Sequence, residues 1–63
     1  MCKILIADDE YLEREVMKRI VSKIEGAQIV AEVNNGIKAV EMYKALYPDL
    51  VFLNYKMGGL NGL

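Results

Sequence analysis

The chain has 63 residues, net charge −1, 54% hydrophobic and 27% charged residues, one proline and no histidine. That is one small globular domain or less, and a chain of this size buries only about 60% of the surface it exposes when unfolded. The balance excludes a basic nucleic-acid footprint, histidine catalysis and histidine metal sites. No apolar run is long enough to cross a membrane, and the lone Cys2 forms no internal disulfide, so a cytoplasmic chain is expected.

Lys3 to Ala7 is a short apolar run stopped by Asp8-Asp9-Glu10, and reads as strand β1. From Glu10 the period changes. Leu12, Val16, Ile20, Val21 and Ile24 fall on one face of a helix, with Arg14, Glu15, Lys18, Arg19 and Ser22 opposite and Gly26 as a stop. Gln28 to Val33 alternates and reads as β2, an edge strand with Ile29, Ala31 and Val33 on its apolar face. Asn34-Asn35-Gly36 signals a turn. A second helix follows, with Ala39, Val40, Tyr43 and Leu46 on one face, and ends before Pro48, which disfavours helix at Tyr47. Leu50 to Leu53, between Pro48-Asp49 and Gly58-Gly59, reads as β3, a strand buried on both faces.

The order β-α-β-α-β implies a parallel α/β sheet. Right-handed crossovers with strand order 2-1-3 place one helix on each face; order 1-2-3 would leave one face bare, so 2-1-3 is preferred. That order sets β1 beside β3 and brings Asp8, Asp9 and Asn54 to the carboxyl edge of the sheet, where ligands bind in such folds.

Two stretches carry a family resemblance. Ile4-Leu-Ile-Ala-Asp8-Asp9-Glu10 resembles the first strand and acidic pair of bacterial response-regulator receiver domains. Asn54-Tyr-Lys-Met57-Gly-Gly-Leu-Asn-Gly62 resembles their phosphoacceptor segment. The resemblance spans the chain and implies the N-terminal half of a flavodoxin-like fold, whose full sheet order is 2-1-3-4-5. It also implies two-component phosphorelay signalling. A sensor kinase's phosphohistidine donates to an aspartate ending β3, and Mg²⁺ is held by the acidic pair, that aspartate and a backbone carbonyl two residues on. Carried over by position, Asp8 and Asp9 match the metal carboxylates, Lys56 offers its carbonyl, and Asn54 stands at the acceptor.

Three departures follow. An amide at position 54 cannot form an acyl phosphate. Gly58 replaces the usual proline and loosens the following loop. The chain ends at Leu63, before the strands that carry the family's hydroxyl residue, lysine and output face. Residues 1–63 therefore read as one truncated receiver-like domain, not an enzyme and not phosphorylatable at its acceptor position, acting by protein-protein contact, with weak or absent Mg²⁺ binding. The alternative is an altered piece of a full response regulator with a separate DNA-binding output domain. A small Mg²⁺-dependent hydrolase lacks a visible nucleophile or base. Bland readings stand beside these: Asp8-Asp9 as a solvated helix N-terminus, Asn54 as a turn residue, Lys56 as a solvated side chain, the tyrosines as rim residues and Cys2 as a small buried hydrophobe. In a 2-1-3 sheet β3 is an open edge, a template for pairing with a second copy as a homodimer.

Overall fold

The computed structural model describes residues 1–53. Within them the chain runs β1 (Cys2–Ala7), α1 (Tyr11–Ser22), β2 (Ala27–Val33), α2 (Gly36–Leu46) and β3 (Leu50–Leu53). The three strands form a parallel sheet in the order β2-β1-β3, as the crossover argument requires. Because β1 is central, its two faces fill two separate cores. Ile4 and Ile6 pack with Val21 of α1, flanked by Met17, Ile29 and Phe52. Ala7, on the other face, packs with Ala39 of α2 and Val33. One helix therefore covers each face. Leu5, Ile6 and Ala7 are almost wholly buried, at 1%, 0% and 0% exposure, which explains the unbroken apolar run.

α2 begins at a cap anticipated only as a turn. The Asn35 side-chain carbonyl accepts the Lys38 N–H at 2.8 Å, satisfying one of the helix's orphan donors. The helix ends at Leu46, and Tyr47 turns into the left-handed region at φ 49°, donating its N–H to the Tyr43 carbonyl at 3.0 Å. Asp49 then ties the start of β3 to β1. Its N–H donates to the Lys3 carbonyl at 2.7 Å, and its carboxylate accepts the Lys3 N–H at 2.7 Å.

Three sequence expectations are corrected. First, α1 ends at Ser22, four residues before Gly26; Lys23 and Ile24 close the turn with N–H bonds to the Ile20 and Val21 carbonyls. Gly26, at φ 84°, makes the turn into β2 instead. Second, α1 is rotated from its predicted orientation. Of its predicted apolar face only Val21 is buried; Leu12, Val16, Ile20 and Ile24 are 74%, 55%, 57% and 51% exposed. The helix lies over β1 and β2, so Met17 and Val21 meet the sheet. Arg14 and Lys18, assigned to solvent, reach across to β2. The apolar stripe is turned toward β3, where Met17, Ile20, Val21 and Phe52 line a hollow of about 150 Å³.

Third, β2 does not keep one apolar face. Ile4 pairs with Ile29, but Leu5 pairs with Ala31, a one-residue shift that passes over Val30. A slip of one residue sends every later side chain to the opposite face. Ala27 and Ile29 accordingly pack on the α1 side, Val33 packs on the α2 side, and Glu32 is brought round to α1.

Candidate functional site

The carboxyl ends of the three strands meet at one edge. Ala7 pairs with Val33 on one side and with Leu53 on the other. Asp8 and Asn34, which follow β1 and β2, thus lie at the same edge, and Asp8 stands after the central strand. Asp8 is not a solvated helix terminus, being 3% exposed. Its N–H donates to the Val33 carbonyl at 3.1 Å, and its Oδ1 accepts the Glu10 N–H at 2.9 Å. Glu10 is the N-cap of α1 without a side-chain cap of its own. The buried carboxylate therefore turns the chain from strand into helix. Asp9 and Glu10 are exposed beside it. An apolar hollow of about 370 Å³, bounded by Asp8, Leu12, Glu13, Val16 and Met17, flanks the edge.

A second set of polar residues supports this edge. Arg14 Nη1 donates to the Asp8 carbonyl at 2.8 Å, and Arg14 Nε donates to Glu32 Oε2 at 2.9 Å. Lys18 Nζ bridges Glu15 at 2.8 Å and Glu32 at 3.3 Å. The Arg14 guanidinium also lies 5.7 Å from the Tyr11 ring centroid, within cation–π range. Burial pushes the Glu32 carboxyl up, but the hydrogen bonds from Arg14 and Lys18, with their charges, outweigh it and hold the group below the usual carboxylate range. The Lys18 ammonium is pushed up, chiefly by its hydrogen bond to Glu15 and then by that to Glu32. Tyr11, Arg14, Lys18, Glu32 and Lys38 line a groove of about 680 Å³ over β2, but Arg14 and Lys18 are engaged with Glu15 and Glu32.

Of the sequence-predicted site residues, Asp8 and Asp9 stand together at the carboxyl edge of β1. Asn54 and Lys56 lie outside the described residues; β3, described to Leu53, runs parallel to β1 up to the Ala7 level. Among the described residues no group of three or more histidine, cysteine, aspartate or glutamate side chains could hold a metal. Two adjacent carboxylates are nevertheless hard oxygen donors of the kind Mg²⁺ takes while keeping several of its waters. The chemistry of that pair suits the ion. The sequence reading missed Arg14 and Glu32. Their meeting depends on the register shift in β2, for which the sequence of the strand carries no signal of its own.

Comparison with known proteins places the chain in a family. The response regulator receiver domain family matches residues 4–63. The chain is 39% identical over 61 residues to the chemotaxis protein CheY of Thermotoga maritima, covering 97% of this chain and 50% of that protein. It is 36% identical over all 63 residues to the response regulator GacA of Pseudomonas aeruginosa, covering 29% of it. It is 37% identical over 60 residues to the nitrate/nitrite response regulator protein NarL of Escherichia coli, 95% of this chain and 28% of that one. The chain thus spans between about a quarter and a half of these relatives. Its buried Asp8 at the end of a central parallel strand, its β2-β1-β3 order and a family match over nearly its whole length lead to one conclusion: the chain belongs to the response regulator receiver domain family.

Proposed function

We propose that this chain is a receiver module of two-component signalling that takes no phosphoryl group at position 54 and acts through protein-protein contact. The observation that carries the reading is Asn54, the residue directly after a β3 strand whose end is level with the end of β1. An amide there offers no carboxylate nucleophile. Asp8, Asp9 and the Lys56 carbonyl are the groups that would hold Mg²⁺, whose chemistry when bound is to neutralise the charge of a phosphoryl group. With one carboxylate fewer at position 54, the site binds the ion weakly. The partner on the input side is a sensor kinase, and the compartment is the cytoplasm. The test is intact mass after incubation with Mg²⁺ and a small acyl phosphate. The expected result is an unchanged mass; a stable gain of one phosphoryl group on residue 54 overturns the reading.

A second copy of the chain is the other partner. Among the described residues β3 pairs with β1 alone, and Leu50 and Leu53 are 45% and 39% exposed. Such an edge is a template for another strand, and antiparallel pairing of two β3 strands about a two-fold axis would give a continuous six-stranded sheet. Sedimentation equilibrium at low micromolar concentration checks this, and a well-folded monomer defeats it. The coverage of GacA and NarL, under a third of each, favours a second reading. In it the chain is an altered piece of a longer regulator with a DNA-binding output domain. The reading frame beyond codon 63 decides between them.

A further inference from the structure

Arg14 joins three parts of the fold through one rigid group. Its side chain leaves α1, is 15% exposed, and uses two different nitrogens. Nη1 donates to the Asp8 carbonyl at 2.8 Å, while Nε donates to Glu32 of β2 at 2.9 Å. The guanidinium is planar and its donors keep fixed mutual directions, so anchoring Nε on Glu32 also aims Nη1. Lys18 holds the other Glu32 oxygen at 3.3 Å, and this keeps the anchor itself in place. The backbone of Asp8 is thereby held at both of its polar atoms, the N–H by Val33 and the carbonyl by Arg14.

The held carbonyl belongs to the same planar unit as the Asp9 N–H. Fixing that plane fixes the direction in which Asp9 leaves the chain. Asp9 is exposed, so close packing does not orient its side chain as it orients Asp8. We infer that Arg14, anchored by Glu32, is a positioning residue for the acidic edge, setting the Asp8–Asp9 peptide so that both carboxylates are presented to one divalent cation. This rests on the metal reading of Asp8 and Asp9 above. It goes further by assigning the orientation of that pair to residues of α1 and β2 outside the donor set, through the Asp8 carbonyl. Groups that orient metal ligands from outside the coordination shell change metal affinity by about 10- to 100-fold when removed.

The experiment uses the whole chain and Mg²⁺ alone. Mg²⁺ is titrated into the wild type, Arg14→Ala, Arg14→Lys and Glu32→Gln, following the Asp9 and Glu10 amide signals by NMR. Hydrogen exchange at Leu5 and Ile6, in the buried centre of β1, reports the fold in each variant. The expected result is an affinity at least about 10-fold lower in Arg14→Ala and a smaller loss in Glu32→Gln, which keeps the acceptor and drops the charge. Arg14→Lys should recover part of the affinity, since an ammonium restores the cation without the fork that reaches both acceptors. Leu5 and Ile6 should stay protected throughout. Wild-type affinity in Arg14→Ala overturns the positioning role and leaves the metal reading standing. A loss of affinity that tracks deprotection of Leu5 and Ile6 in Arg14→Ala and Glu32→Gln alike overturns it in favour of a purely structural tie. A wild type whose Asp9 and Glu10 signals ignore Mg²⁺ overturns the metal reading itself, and the inference with it.

Discussion

Val21→Ala and Leu12→Ala form a paired test of how α1 sits on the sheet. Val21 is 3% exposed against Ile4 and Ile6, whereas Leu12, in the same sequence-predicted apolar face, is 74% exposed. Val21→Ala deletes two carbons from a buried site. At roughly 0.8 kcal/mol per buried methylene this is about 1.6 kcal/mol, and the cavity left behind brings it to about 2 kcal/mol. Leu12→Ala deletes three carbons, but only about a quarter of that surface is out of water, so the same coefficient yields roughly 0.6 kcal/mol. Alanine's better helix propensity trims this slightly. Chains of this length have total stabilities of roughly 3 to 9 kcal/mol, so the first change removes a large share and the second little. Urea unfolding at low micromolar concentration measures both, with the slope unchanged if only stability has moved. Equal losses, or a larger loss in Leu12→Ala, would refute the placement of α1. A Leu12→Ala loss that grows with protein concentration would instead place that stripe in a contact between chains.

Tyr47→Gly should stabilise the chain by up to about 1 kcal/mol, because a left-handed non-glycine residue costs roughly 1–2 kcal/mol and glycine's extra unfolded-state entropy returns part of it; Tyr47 is 75% exposed and loses little burial. A lower thermal midpoint in this variant would contradict the argument. Asn35→Ala removes the cap on the Lys38 N–H and should cost about 1 kcal/mol in chemical denaturation, with Asn35→Ser recovering most of it. Glu32 makes stability pH-dependent. Its folded-state carboxyl is depressed, so its contribution is complete above the unfolded value of about 4.3 and is lost as pH falls through the lower folded value. The urea midpoint of the wild type should therefore fall more steeply below about pH 4.3 than that of Glu32→Gln; parallel curves would count against the Arg14 and Lys18 contacts.

The sequence by itself determined the elements, their parallel order and the carboxyl edge that carries Asp8 and Asp9. Each of these follows from local rules. Apolar runs between breakers define Ile4–Ala7 and Leu50–Leu53, a 3.6-residue period marks the two helices, and right-handed crossovers allow one sensible strand order for two-sided cover. The expected places of Asn54 and Lys56 lie outside the described residues. Tertiary structure alone decided which flank of α1 meets the sheet. A helix with Leu12, Val16, Ile20, Val21 and Ile24 along one side can roll by part of a turn, and contacts with Ile4 and Ile6 selected Met17 and Val21. It also decided the register of β2. Strict alternation put Glu32 away from Ile29, but the shift past Val30 reversed the faces beyond it and set Glu32 against Arg14 and Lys18. A one-residue register shift leaves no composition signal, because it answers to the neighbouring strand and helix, and the support of the acidic edge by Arg14 came into view only with the packed fold.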